Sequence, residues 1–192
     1  SAKEAAVSGL HVTFSPMVDL VRDPRWGRVM ESTGEDPLLN SRLAAAMVRG
    51  YQGENLKEDN WRVAACVKHF AAYGGALAGR DYNTVDMSER QLREMYLPGY
   101  KAGLDAGAKL VMTSFNTVDG IPATGNQWLF RDVLRNEFGF EGVVISDWGA
   151  IKELIPHGVA KDEKQAAELA IKAGVDIEMM TTCYPDYLKE LL

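Results

Sequence analysis

Apolar runs rich in Val, Ile, Phe and Met alternate along this chain with stretches of helical spacing, and that alternation constrains the fold more than any other feature. The runs are "HVTFSPMV" (11–18), "RVAACVKHF" (62–70), "KLVMTSFN" (109–116), "GVVISDW" (142–148) and "VDIEMM" (175–180). Each is short enough for a strand and apolar almost throughout, the pattern of a strand covered on both faces. The punctuation between them is that of helices. Asp36 followed by Pro37 supplies a cap and a first-turn proline for a helix running to about Gly50. Ser88 and Gln91 make a capping box; the helix behind them carries Leu92, Tyr96 and Tyr100, is bent or split by Pro98, and stops near Gly107. Asn126 caps a third helix with Phe130, Val133, Leu134 and Phe138 at core spacing and Gly139 as its stop. A fourth presents Ala166, Leu169, Ala170 and Ala173 and ends at Gly174.

A β-α-β-α order with doubly buried strands implies a parallel sheet with right-handed crossovers, either open and doubly wound or closed into a barrel. No strand is followed by the glycine fingerprint of a dinucleotide fold, which favours an α/β, (β/α)8 TIM-barrel-like architecture. A complete barrel takes about 250 residues, whereas this chain has 192. The expectation is one domain over residues 1–192: a partial barrel of about five βα units, with units missing on the N-terminal side. The chain opens on Ser1 inside a helical stretch, "SAKEAAVSGL", so the want of a leader there says little about compartment.

Composition narrows the partners. A net charge of −6, from 27 acids against 21 bases, argues against nucleic acid or an anionic membrane. No apolar stretch approaches the roughly 18 residues that span a bilayer. The cysteines, Cys66 in an apolar run and Cys183 in a polar loop, make no disulfide framework. His11, His69 and His157 are scattered without metal-ligand spacing, so no metal site is expected.

In a parallel barrel, chemistry collects where the strands end at their carboxyl side. The second strand closes with Lys68–His69 and the fourth with Asp147–Trp148. The loop after the first strand reads "RDPRWGRVMESTGEDP" (22–37), and the loop after Lys68–His69 reads "YGGALAGRDYN" (73–83). Taken singly, each has a structural explanation: an aspartate closing a strand is most often a turn or cap residue, and "RDPRWGR" can be a rigid loop held by Arg–Asp pairs. Together they fall on one face of one inferred barrel, with cationic and hydrogen-bonding groups around a single strand-end carboxylate.

The motifs "RDPRWGR…GEDP", "CVKHFAAYG", "GRDYNTVDMSERQLREMYLPGYKAGLDAG", "GFEGVVISDWGAI" and "AIKAGVDIEM" resemble glycoside hydrolase family 3, most nearly its bacterial β-glucosidases of the periplasmic type. The resemblance implies retaining hydrolysis of terminal β-D-glucosidic bonds in two steps, with no cofactor. It makes Asp147 the nucleophile, with Lys68 and Arg80 as its cationic neighbours. It also makes Arg28, Lys68, His69 and Arg80 the hydrogen-bonding partners of the sugar, and Trp148 an apolar wall. Phe115 stands where many members place a tyrosine near the nucleophile, so a hydroxyl is lost there. The family's general acid/base, a glutamate of a following α/β sandwich domain, has no counterpart in this chain, nor has the strand that precedes residue 11 in the family. The loop "KHFAAYGGALAGRDYN" lacks the "KHFPGHG…DSH"-like pattern of the family's N-acetylglucosaminidases, which favours the glucosidase type. The implied partners are a β-glucoside or oligosaccharide substrate and the missing C-terminal domain, and the implied location is periplasmic or secreted. Two alternatives stay open: a folding or assembly unit with an incomplete site and open sheet edges that favour association, or a β-xylosidase of the same family.

Overall fold

The computed structural model describes residues 1–191. Its strands fall inside the apolar runs: β1 (Val12–Thr13), β2 (Ala64–Phe70), β3 (Leu110–Thr113), a small hairpin of β4 (Thr117–Val118) and β5 (Ile121–Pro122), then β6 (Val143–Trp148) and β7 (Ile177–Met179). The α-helices are α1 (Ala2–Val7), α2 (Pro37–Gln52), α3 (Glu89–Gln91), α4 (Leu97–Asp105), α5 (Glu163–Ala173) and α6 (Cys183–Leu191). β1 is shorter than its run because Pro16 has no N–H for the ladder. The chain nevertheless tracks β2, with Cys66 N–H on the Ser15 carbonyl (2.9 Å) and Val18 N–H on the Lys68 carbonyl (2.7 Å).

The order of the main sheet is β1-β2-β3-β6-β7, all parallel. Order in space is therefore order in sequence. A doubly wound sheet reverses at its switch point; this one never does. Successive right-handed crossovers then place the helices on one face and leave the other as the inside of a curled half-barrel. The period of two along each strand divides the side chains accordingly. Ala65, Val67, Val111 and Val144 enter the helix-side core, while Ala64, Cys66, Leu110, Met112 and Ile145 make a separate inner cluster against Met179. Both layers are apolar, which is why the runs show no alternation.

The helices begin where the caps predict. Asp36 Oδ1 accepts from Leu39 N–H (2.8 Å), Ser88 Oγ from Gln91 N–H (3.2 Å) and Asn126 Oδ1 from Leu129 N–H (3.2 Å). The helix expected to break at Pro98 does so by widening: α3 passes through a π-helical turn, Leu92–Tyr96, into α4. Pro98 has no N–H to offer the preceding turn, and a wider turn accommodates the gap. Trp128–Glu137 is π-helical too, with Phe138 N–H on the Val133 carbonyl (2.9 Å). α2 and α4 approach closely because Gly99 has no side chain: a Cβ there would lie 1.8 Å from Asn40 Oδ1. Cys66 is buried as expected, and burial pushes its thiol up to about 12. Cys183 departs from expectation. It is the first residue of α6, fully buried, with its thiol likewise pushed up to about 12 by burial.

Candidate active site

Lys68–His69 and Asp147–Trp148 lie at the carboxyl ends of β2 and β6, and both strands are irregular there. Between Val67 and Phe70 β2 advances three residues while β3 advances two, from Val111 to Thr113. Between Ile145 and Trp148 β6 does the same against Ile177–Met179. One extra residue in each strand is a bulge, which re-aims side chains at the end of a ladder. In β2 the Lys68–His69 and Phe70–Ala71 peptides are cis.

The Asp147 carboxylate is held from its own backbone. Its N–H donates to Thr113 Oγ1 (3.2 Å) instead of to a strand carbonyl, and its Oδ1 accepts from Trp148 N–H (2.7 Å). Ser146, facing the other way, donates to the Asp147 carbonyl (2.9 Å) and accepts from Met179 N–H (2.8 Å), tying the strand end to β7. Asp147 Oδ2 is different. It is buried and has no hydrogen-bond partner among the described residues, although His69 Nε2 stands 3.3 Å away. A buried carboxylate oxygen left unpaired is costly and calls for a reason. Trp148, next in sequence, is 62% exposed at the rim.

His69 is fixed from behind. Its Nδ1 lies 2.7 Å from Asp19 Oδ2, and Asp19 is completely buried. The Tyr100 hydroxyl stands 2.7 Å from Asp19 Oδ1 and 2.6 Å from the His69 carbonyl, sharing its one proton between them. Burial, with Asp19 adding to it, holds the Tyr100 phenol well above its ordinary range, so it remains a neutral donor. Tyr73 presents its edge to the imidazole (5.3 Å) and anchors an aromatic cluster with Trp26 (5.0 Å) and Phe115 (5.7 Å). Trp26 Nε1–H donates to Asp81 Oδ1 (2.9 Å), which fastens the 22–37 loop to the 73–83 loop.

The predicted site residues differ in how they are held. Arg28 reaches the cluster, its guanidinium 5.6 Å over the Tyr73 ring, but as half of a bidentate pair with Glu31 (2.7 and 2.8 Å). That pair raises the arginine and lowers the Glu31 carboxyl from their usual ranges. Arg25 pairs with Asp23 (2.6 Å), holding that carboxyl at about 2, so part of "RDPRWGR" is the rigid loop of Arg–Asp pairs. Lys68 is half-buried, with no ion pair for its ammonium among the described residues. Arg80 is exposed and likewise unpaired; its structural tie is its N–H on the Leu77 carbonyl (3.2 Å). Within 4 Å of the Asp147 carboxylate among the described residues the cation-capable group is His69, and neither Lys68 nor Arg80 makes an ion pair with it. Phe115 is buried, and Tyr82 covers it with ring centroids 4.5 Å apart. Tyr82 itself sits at φ 60, a strained backbone for a bulky residue.

Sequence reasoning missed Asp19, Tyr100, Glu31 and Glu153. Asp19 carried a signal: an acid inside the apolar run Met17, Val18, Leu20, Val21, where a buried charge requires a partner. Glu153 is half-buried, and burial, with Asp147 adding to it, raises its carboxyl.

All of the chain, residues 1–192, matches the glycosyl hydrolase family 3 N-terminal domain. It is 52% identical over 192 residues to the periplasmic beta-glucosidase of Salmonella typhimurium, covering 100% of this chain and 25% of that protein. A beta-xylosidase of Formosa agariphila is 40% identical over 184 residues, covering 94% of this chain and 25% of that protein. The crystal structure of beta-glucosidase from Listeria innocua superposes with a TM-score of 0.99 at 66% identity, over 100% of this chain and 27% of that one. The Listeria enzyme has also been solved with isofagomine, glucose and gluconolactone, and a mutant of it with laminaribiose. The chain therefore spans about a quarter of the length of the relatives it matches. Matched over its whole length by that family model, the chain belongs to glycosyl hydrolase family 3 and lies in its N-terminal domain.

Proposed function

We propose that this domain carries the nucleophile and the glucose-binding side of a retaining β-glucosidase. The observation that carries the reading is the Oδ2 oxygen of Asp147: buried, free of hydrogen bonds, and held at a strand end by bonds to the other atoms of the same residue. An oxygen so placed has a lone pair to give to an anomeric carbon. In the first step an Asp147 oxygen bonds to C1 as the glycosidic C1–O bond breaks, and the leaving oxygen takes a proton from a general acid. In the second, water attacks C1, loses its proton to the same group now acting as base, and frees Asp147. A glutamate from a following α/β sandwich domain fills the acid/base role in this reading. General acid catalysis is worth roughly 10²–10⁴-fold, so this chain alone would be slow on unactivated glucosides.

His69, Lys68 and the Nη1 of Arg28 orient the sugar hydroxyls, Arg80 joining them on the resemblance alone. Hydrogen-bonding groups held in place, the two cations as donors and His69 Nε2 as acceptor, discriminate against a sugar lacking the matching hydroxyl, because they are then left unpaired. Trp148 offers its exposed face to the substrate, and Phe115 backs the pocket. The Salmonella relative and the Listeria complexes support a β-glucoside substrate, and the periplasmic name of the Salmonella relative supports an extracytoplasmic location. No helix among the described residues is long and apolar enough to cross a membrane. The Formosa beta-xylosidase supports a second reading, a β-xyloside substrate; kcat/KM for aryl glucosides against aryl xylosides separates the two.

Incubation with a 2-deoxy-2-fluoro-glucoside bearing an activated leaving group tests the nucleophile, read by intact mass and peptide mapping. An adduct on Asp147 supports the reading. Labelling only when the downstream domain is present would make this chain an incomplete half of the site. No adduct in either form would sink the glycosidase assignment.

A further inference from the structure

We propose that Asp19 is a positioning residue for this reaction, acting through His69 on the nucleophile and the sugar. The proposal rests on the reading of Asp147 as nucleophile. Asp19 lies 50 residues before His69 in the chain, yet its carboxylate meets the imidazole at 2.7 Å, with 0% and 1% exposure for the two side chains respectively. Both carboxylate oxygens face donors. The His69 ring nitrogen approaches Oδ2, the Tyr100 hydroxyl approaches Oδ1 (2.7 Å), and the His69 backbone N–H lies 3.3–3.4 Å from both. A carboxylate surrounded by donors accepts and does not donate, so the proton on the facing nitrogen is Nδ1–H. Nε2 is then the ring atom left to do chemistry. It stands 3.3 Å from Asp147 Oδ2 but off the line of a hydrogen bond, open to a hydroxyl group brought in by the substrate.

The partners of the Asp19 carboxylate converge on His69: its ring, its backbone N–H and the Tyr100 hydroxyl that also bonds its carbonyl. The Arg28 charge acts on Asp19 from outside ion-pair distance. Asp19 is flanked by Met17, Val18, Leu20 and Val21, all buried, so an apolar side chain would fill the space without the cost of desolvating a charge. No Lys or Arg pairs with it among the described residues; the cation-capable group it meets is His69. Tyr100 completes the clamp by bonding both Asp19 and the His69 carbonyl, so ring and backbone of His69 are held by one buried unit. Without Asp19 the imidazole is free to rotate or exchange its proton between nitrogens, and Nε2 no longer has a single place or a single role.

A positioning role through His69 predicts a particular failure of additivity. In the complete enzyme, Asp19→Asn should lower kcat/KM for an aryl β-glucoside by about 10- to 100-fold, as loss of the outer partner of a working histidine does. In a His69→Gln background the same change should have no further effect. Tyr100→Phe, which removes only a hydroxyl, should show a smaller loss that also vanishes in that background, and it decides the question if Asp19→Asn does not fold. Losses that multiply with that of His69→Gln, or an Asp19→Asn enzyme with unchanged kcat/KM, would overturn the proposal. Fluoro-glucoside labelling of the wild type is run alongside. Asp147 labelled but losses multiplying removes the role of Asp19 alone, whereas Asp147 unlabelled removes the glycosidase reading beneath it.

Discussion

Val143 and Val144 are the same residue, adjacent in one strand, yet the first is 36% exposed and the second 0%. They face opposite sides of the sheet, and the sides differ in kind. Behind the sheet, Val67, Val111 and Val144 are sealed under α2, α4 and the π-helical segment in a continuous core. On the inner face Val12, Val143 and Ile177 are all more than a third exposed, and the strand-end polar groups gather on the same side. The helix side is sealed in the core; the inner side is open and holds the strand-end polar groups to which the proposed chemistry is assigned. Even within the inner side there is a gradient, since His69 is clamped by Asp19 whereas its neighbour Lys68 is unpaired.

That division can be broken from either side. The largest effect belongs to Asp147→Asn, which should abolish the fluoro-glucoside adduct and lower kcat by about 10⁴-fold or more, the scale seen when a nucleophile is removed. Its melting temperature should not fall, because the amide relieves a buried and unpaired oxygen; a lower Tm would show that Asp147 holds the fold together. Next comes the valine pair. Val144→Ala should cost about 2 kcal/mol in urea unfolding and Val143→Ala less than about 1 kcal/mol. Equal losses would erase the contrast between the faces. Asp36→Ala removes the α2 cap, on the helix side but at the surface, and should cost about 1 kcal/mol by the same measurement.

The smallest effect is electrostatic. Burial and then Asp147 raise the folded-state pKa of Glu153 above its unfolded value. Folding therefore favours the protonated form, and the associated stability is present below the ordinary glutamate value and lost as pH rises through the folded one. Glu153→Gln should accordingly melt slightly higher than wild type at neutral pH, with the difference closing as pH falls below the ordinary glutamate range. A difference that grows in acid would mean Glu153 is stabilised as an anion. That would place it with the clamped groups.

Much of the helix side was legible because its causes are local. A cap is one side chain bonding a backbone group three residues on, as at Asp36, Ser88 and Asn126, and a run of Val and Ile needs no partner to be read as a strand. Cys183 was misread because nothing near it in sequence betrays the burial at the start of α6. The candidate site was half legible. Asp147 and His69 stood out by where their strands end, but Glu31 beside Arg28 went unread, and Arg80 is exposed and makes no ion pair among the described residues.

By itself the sequence determined the parallel α/β order, the strand positions, the helix starts and the residues that end the strands, since each depends on side chains within a few positions of one another. The tertiary structure alone decided which of those ends meet. The added residue in β2 and in β6 is invisible until neighbouring strands are in register. The pairing of Asp19 with His69 spans 50 residues, and that of Tyr100 with Asp19 spans 81. A buried carboxylate can declare that it needs a partner, but only the closing of the sheet brings one within 3 Å.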